Sequence, residues 1–545
     1  MTARPDALII GAGHNGLVAA FDLARAGLRP LVLEQRGLVG GCAVTEAFWP
    51  GFRNSTASYT VSLLQPDIIA DMKLAARGYR VIERPVSNFL PLTDGRALTL
   101  GGGLARTQAE FARFSVRDAE RLPDYERRLS TVSDVLRALA RRIPPSGAEG
   151  ALGLVGAALA LAPVARLDLE ARQDLVDLFT RSAREVLEGW FESEAVQAAF
   201  GFDSCVGHFS GPSAPGSAYV LLHHCFGEVN GRRGAWGHAV GGMGAITRAM
   251  AEAATEAGAT IRLEAPVAQV LTEDGRVAGL RLDSGEEIAC PLVLANVGPA
   301  LLFRRLLPAN ALPAPFASRM AGFRTGSGSF RMNIALAGLP RFAARPEPGE
   351  HLRSGIVIAP SLDYMDRAHQ DALAQGWSRA PIVEMLIPST VDDSLAPAGA
   401  HVASLFCQHF APRLGGAEWA PDDEAAAADT VFETIEQHAP GFRQLVIGRQ
   451  ILSPTGLERR FGLVDGDIFH GRMSLDQLWA ARPILGMGNH RTPIAGLYLC
   501  GAGSHPGGGV TGLPGRNAAR AVLADRRWLI RSGLPRGRRR PSIAP

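Results

Sequence analysis

The sequence predicts an α/β fold, a parallel-sheet nucleotide domain interrupted by helix-rich α+β insertions. Three observations predict it. Near the start, the apolar run ALII leads into Gly11-Ala-Gly13-His-Asn-Gly16 and the apolar-periodic stretch LVAAFDLARAG. In the middle, Gly241-Gly-Met-Gly244 precedes a helical stretch and a β-rich meander that returns to a buried strand at 292–295. Near the end, the short apolar strand Gly496–Cys500 runs into GAGSHPGGGVTG and a further helix. Short apolar runs alternating with 3.6-periodic stretches are the mark of βαβ construction.

The first segment is a βαβ unit: strand, tight turn, helix, then the second strand LVLE. Gly11 permits the sharp turn, Gly13 lets the backbone approach a pyrophosphate, and Gly16 lets helix and strand pack closely. The helix start then offers free N–H groups and a favourable dipole to the phosphates. Glu34 ends the second strand about 20 residues further on, where an acid hydrogen-bonds ribose hydroxyls. Gly40 and Gly41 follow at once and let the backbone run beside a ligand. A plain NAD site has no need of that second glycine patch. The C-terminal glycine run, opening a helix, adds another set of N–H donors, which suits a flavin whose reduced ring carries negative charge. The expected cofactor is FAD.

These pieces divide the chain. Residues 1–51, 236–299 and 481–527 read as a discontinuous FAD-binding domain. Residues 52–235 and 300–480 read as the substrate domain, and 528–545 as a basic tail. The tail region from Asp525 carries seven arginines, either as a frayed end or as a contact for anionic lipid.

Composition narrows the function. Among 545 residues, 47% are hydrophobic and 20% charged, a balance that excludes a disordered chain. The net charge of +3 from 56 basic and 53 acidic groups is too even for nucleic acid to be the main partner. Six cysteines at 42, 205, 225, 290, 407 and 500 form no CxxC pair, so neither a dithiol centre nor a thiolate zinc site is expected. Their scatter reads as a reducing compartment. His223, His224, His238 and His505 lack metal-ligand spacing, and no metal is expected. No secretory signal is visible before the first strand. The apolar stretch Ala151–Val164 is shorter than the roughly 20 residues a spanning helix needs, and reads as buried or shallowly inserted in lipid. The expected location is cytoplasmic, with peripheral contact at the inner membrane face as an extension.

DALIIGAGHNGLVAAFDLARAG, then EQRGLVGGCAVTEAFWPGFRNSTASYTVSLL, resembles the phytoene desaturase-related flavoproteins. HHCFGEVNGRRGAWGHAVGGMGAI and GLYLCGAGSHPGGGVTGLPGRNAA extend the resemblance over essentially the whole chain. The nearest branch is that of the pyridine nucleotide-disulfide oxidoreductase domain-containing proteins of the second type. The resemblance implies a Rossmann-like FAD-binding domain of amine oxidase and carotenoid desaturase type. It implies FAD held by Gly11, Gly13, Gly16, Glu34, Gly40 and Gly41, with the Val267 backbone against the adenine. Gly501, Gly503 and the helix start at Gly512 would face the ribityl-pyrophosphate and the flavin ring.

The activity so implied is an FAD-dependent desaturase or dehydrogenase. It would pass a hydride from a hydrophobic substrate to flavin N5, with oxygen or a quinone as acceptor. Two alternatives stand beside it: a flavin-dependent polyene isomerase, and a non-catalytic FAD-binding regulator with a respiratory-chain partner, placed in the mitochondrial matrix for eukaryotic relatives. No catalytic base is legible. The candidates are His505, in the glycine-rich loop, and His224 and Glu228, which precede the Gly-Gly-Met-Gly turn beside Trp236 and His238. For each of them ordinary packing is the competing reading.

Overall fold

The computed structural model describes residues 4–145, 156, 158, 159 and 161–532. Residues 151–155, 157 and 160 of the apolar stretch Ala151–Val164 and the tail beyond Ser532 lie outside the described residues; within the stretch Leu159 and Leu161 are exposed rather than buried.

A five-stranded parallel sheet anchors the fold. Its strands in chain order are β1 (Ala7–Ile10), β2 (Pro30–Leu33), β3 (Thr260–Arg262), β4 (Val293–Ala295) and β5 (Leu497–Leu499). Their spatial order is β3-β2-β1-β4-β5, with Leu8 level with Leu31 on one side and Val293 on the other. Strands covered on both faces read as unbroken apolar runs, which is why β1 is simply ALII and buried throughout.

Helices α1 (His14–Arg25), α2 (Met243–Glu256) and α3 (Leu513–Ser532) cover one face. Leu17, Phe21 and Ala24 recur at helical spacing along α1 and pack with Ile246, Met250, Ala518 and Val522 over Ile9, Val32 and Leu294. The antiparallel meander of Val267–Glu273, Arg276–Leu282 and Glu287–Ala289 covers the opposite face.

The second body is a seven-stranded sheet. Its order is Val446–Leu452, Phe330–Leu336, His401–Phe410, Trp377–Leu386, Gly355–Ile358, Asn88–Pro91, Ala97–Leu100. Phe330, Met332, Val383 and Leu405 pack against the helix Pro421–Glu436. On the other face, Leu90, Leu98, Ile382 and Phe406 meet a helical layer that includes Val116–Ala140, Glu194–Cys205 and Leu362–Gln375.

The expected domain limits need correction. Val61, Leu64, Ile68, Met72, Leu74 and Val81 belong to the core of α1 and α2, and Val81–Glu83 pairs antiparallel with Gly237–Ala239. Residues 61–83 are therefore part of the nucleotide body, not of a substrate unit running 52–235. Likewise Leu302, Phe303, Leu306, Met320 and Phe323 pack beneath the parallel sheet with the meander, although they fall within 300–480. The reason is the same in both places: a sheet face left open by its own crossovers is closed by whichever apolar segment leaves it next. α3 continues to Ser532, so the first residues of the expected basic tail, 528–532, extend that helix. Among the described residues no helix is long and apolar enough to cross a membrane.

Candidate functional site

A cavity of about 770 Å³ runs from the carboxyl ends of β1, β2 and β4 to the seven-stranded sheet. Ligands of open parallel sheets bind in that crevice. At the sheet end its wall is Ile10, Gly11, Gly13, Glu34, Gly41 and Asn296.

The glycines there do different work. A Cβ on Gly16 would lie 2.3 Å from the Gly11 carbonyl oxygen, so Gly16 stands behind the wall and brings α1 onto the strand end. Gly40 has φ +126, donates its N–H to the Ala12 carbonyl at 2.9 Å, and has no room for a side chain between Ala43 and Thr247. It presses the second glycine patch onto the first: a Cβ on Gly41 would be 3.2 Å from the Gly13 Cα. Gly11, Gly13 and Gly41 line the cavity, as does Val267 on the meander.

Glu34 reaches the wall with both oxygens engaged. One accepts the Ala12 N–H at 2.8 Å and the other the Arg36 N–H at 3.0 Å. Burial pushes its carboxyl up, and these N–H donors oppose that. A ribose hydroxyl would use the remaining lone pairs.

Several polar atoms around this end have no partner. His14 Nε2, Asn15 Oδ1, Arg36 Nη1 and His470 Nδ1 are buried and unsatisfied. Burial, with each cationic form disfavoured further by a neighbour, pushes His14 and His470 down to about 4, so both are neutral at pH 7. The first turn of α1 has no side-chain cap. Free helix N–H groups, a glycine-bounded cradle and unsatisfied side chains around one cavity fit a dinucleotide.

The C-terminal loop meets this cavity through residues other than those expected. Ala502, Gly509 and Val510 form wall. Gly501, Gly503 and Gly512 stand off it. Their missing side chains make room for Asn296, Pro299 and Ile68, at 3.1, 2.1 and 2.6 Å from the would-be Cβ. Arg482, fully buried, holds the loop in place: it donates to the carbonyls of Ala502, Phe469 and Gln477. Asp467 gathers the N–H groups of Gly326, Phe469 and Gly471 beside it.

The candidate catalytic residues do not converge here. His505 is buried edge-on to Trp479, with a ring nitrogen 3.3 Å from the Leu139 carbonyl, and burial pushes it down to about 3. Glu228 lies in the short strand Glu228–Val229, outside the wall. The backbone of His224 is in the turn Leu222–Phe226, and its side chain is outside the described residues. His238 pairs with Asp392 at 2.9 Å, while Trp236 lines the cavity. The Gly-Gly-Met-Gly turn is closed to ligands, because Ser55 and Thr45 hydroxyls accept the Met243 and Gly244 N–H groups.

The far end of the cavity carries polar side chains that the sequence reading missed. Tyr59 donates to Glu384, stacks on Phe406, and lies beneath the Arg331 guanidinium, 4.3 Å from its ring centroid. Arg84, Asp203 and Tyr125 complete this end, among Leu129, Phe200, Phe202 and Leu221. Burial pushes the Tyr59 hydroxyl and the Asp203 carboxyl well up, and the nearby Glu384 adds to both shifts. One signal could have found them: Glu384 and Arg331 are charges inside the apolar strands IVEML and FRMNIAL, where burial is expensive without a purpose.

Comparisons with known proteins agree with this geometry. Residues 9–69 match the NAD(P)-binding Rossmann-like domain, and residues 83–329 match the flavin containing amine oxidoreductase family. The rat "Pyridine nucleotide-disulfide oxidoreductase domain-containing protein 2" is 41% identical, over 95% of this chain and 93% of its own. The chain belongs to the pyridine nucleotide-disulfide oxidoreductase domain-containing protein 2 family. A lycopene-forming phytoene desaturase of Pseudescherichia vulneris is 29% identical, over 95% of this chain and 98% of its own. An oxidoreductase of Methanosarcina mazei shares the fold, with a TM-score of 0.60, 15% identity, and coverage of 95% of this chain and 99% of its own. The family is thus of flavin-containing oxidoreductase type. The disulfide in its name has no counterpart in this member, whose six cysteines are all free. Cys42 and Cys225 reach the cavity wall, but burial pushes both thiols up to about 12, so neither is a thiolate.

Proposed function

We propose that the protein is an FAD-dependent desaturase or dehydrogenase acting on a largely apolar substrate. The observation that carries the reading is the continuity of one cavity from the Gly11–Gly13 cradle to Phe200, Phe202, Leu221 and Phe406. A cofactor seated on the glycines and a substrate among the aromatic rings would share that space. The relative named as a phytoene desaturase supports the same chemistry.

When bound, FAD supplies a two-electron acceptor at flavin N5. The substrate would give up a hydride from one carbon and a proton from the adjoining atom, leaving a double bond. Oxygen or a quinone would take the two electrons and two protons. The chain's own part is to hold and to exclude. The first turn of α1 and the backbone at Gly13 and Gly41 would bind the pyrophosphate, and Glu34 the ribose. Arg482 fixes Ala502 and Phe469 on the wall. The apolar lining keeps water from the reacting carbon.

The test is the absorbance of the purified protein, followed by anaerobic mixing with unsaturated and saturated apolar compounds. Oxidised-flavin bands that bleach with one of them, and return on admitting oxygen or a quinone, are the expected result. A colourless protein that takes up no added FAD would end this reading.

A further inference from the structure

We propose that the far end of the cavity binds a carboxylate on the substrate, with Arg84 as its anchor. The proposal rests on reading that cavity as the substrate site, and names the class of compound it takes: an apolar chain bearing an acid.

Arg84 follows the strand Val81–Glu83 and is held at the wall by its backbone N–H to the Trp236 carbonyl, 3.0 Å away. Its guanidinium lies over the Trp236 ring and spends one donor on Thr60 Oγ1 at 2.7 Å. A guanidinium has five N–H donors, and Arg84 lines the cavity with only this side-chain hydrogen bond to Thr60. Among the described residues no carboxylate forms an ion pair with Arg84. Arg331 stands close by in the same condition. It is 1% exposed, donates to the Leu405 carbonyl and Ser404 Oγ, leaves Nε without a partner, and has no ion pair.

Two guanidiniums, Arg331 buried and Arg84 half-buried, call for negative charge, since an uncompensated ion withdrawn from water is costly. The nearby carboxyls do not supply enough. Glu384 contributes one charge and is already the acceptor of the Tyr59 hydroxyl. Burial raises the Asp203 carboxyl above the ordinary carboxylate value, which makes a charge there costly to hold. Elsewhere on the wall the arginines have carboxylate partners: Arg232 pairs with Glu83 at 2.8 Å, while Arg233 and Arg137 share Asp134 at 2.9 and 2.7 Å.

A forked guanidinium on the cavity wall, carrying no ion pair among the described residues, is the partner a carboxylate binds bidentately. Leu129, Phe200, Leu221 and Phe406 would cover the hydrocarbon part.

Carbon-matched probes separate the alternatives. The purified protein, flavin content recorded, is titrated with decanoate, decan-1-ol and decylamine by calorimetry and by the shift of any flavin band. Decanoate is expected to bind about 10–100-fold more tightly than decan-1-ol, the range set by charge-assisted hydrogen bonds. Arg84→Met should erase that preference at unchanged flavin content, and Arg84→Lys should restore part of it. Glu384→Gln, which removes a competing charge, should tighten decanoate, and serves as the test should Arg84→Met not fold. Decylamine binding best and weakening in Glu384→Gln would overturn the proposal, and so would Arg84→Met binding decanoate as the parent does. Colourless protein that still prefers decanoate by calorimetry would count against the flavin reading and for the acid site.

Discussion

The Asn296 amide donates to the Gly11 carbonyl at 3.1 Å, and so ties the loop after β4 to the turn after β1. Gly16 occupies the angle between them. A methyl group added there would stand 2.3 Å from the Gly11 oxygen and 2.9 Å from Asn296 Nδ2. Gly16→Ala should therefore cost about 1–3 kcal/mol, the range of overpacked sites, and loosen bound flavin. Denaturant unfolding and the ratio of flavin to protein absorbance measure both. An unchanged midpoint would mean that helix and strand can part without loss.

Gly13→Asp probes the cradle without straining the backbone, since Gly13 has φ −70, open to any residue. Its Cβ would lie 2.9 Å from Asn296 Nδ2, the end of a side chain that can give way at the cost of its hydrogen bond to Gly11, and 3.9 Å from the Gly40 carbonyl oxygen. The variant should fold, by circular dichroism, yet purify without flavin, because a carboxylate would occupy the pyrophosphate position. Retention of full colour would remove Gly13 from the site.

Arg482→Met leaves the carbonyls of Phe469, Ala502 and Gln477 buried without their donor. Each orphaned acceptor costs on the order of 1–3 kcal/mol. The expected result is a lower melting temperature together with faster flavin loss, with Arg482→Lys intermediate. If melting falls and flavin affinity stays, the residue braces the loop but does not shape the cavity wall.

Acid should destabilise the protein in a defined window. Burial pushes His14, His470 and His490 down to about 4 and His505 to about 3, against an ordinary value near 6.5. Below about pH 6.5 the unfolded chain takes up protons that the native chain refuses, so stability falls as pH drops toward 4 and then levels for these groups. Urea midpoints across that range measure the slope. His505→Gln should make it shallower, and a flat profile would contradict the burial of these rings.

Asp392 adds a lower step. Burial pushes its carboxyl up, but hydrogen bonds from His238, Ser394 and the Gly241 N–H outweigh that and hold it below the carboxylate range. Its stabilisation is complete above the unfolded value of about 3.9 and declines as pH falls below it. Asp392→Asn should melt lower than the parent at pH 7, and the gap should narrow below about pH 4. A gap that does not change with pH would show that charge is not what this contact uses.

The parallel sheet and its cradle were legible because their constraints are local. Gly11, Gly13, Gly16, Glu34, Gly40 and Gly41 lie within one βαβ passage, where spacing alone dictates which atom approaches which. The C-terminal glycines read as donors facing the ribityl-pyrophosphate and flavin ring, whereas Gly501, Gly503 and Gly512 stand off the cavity and pack on Asn296, Pro299 and Ile68. Which of that loop's residues then touch the cavity depends on Arg482, a residue from outside the run. The far end was signalled only by Glu384 and Arg331, lone charges in apolar strands, and its assembly was not legible. Tyr59, Arg84, Asp203, Arg331 and Glu384 come from five separate passages, and only tertiary packing brings them to one wall. Domain limits failed for a related reason, since Val61–Val81 and Leu302–Phe323 carry apolar faces that say they will be buried but not beneath which sheet.

The parallel sheet has one more implication, for biosynthesis. β5 joins β4 directly, and α3 packs on α1 so closely that a Cβ on Gly515 would lie 2.0 Å from the Asn15 oxygen. On a ribosome adding roughly 5–20 residues per second, the about 490 residues between β1 and β5 delay that closure by about 25–100 s. Until then the emerging chain keeps an uncovered strand edge, the kind of edge that invites pairing with other chains.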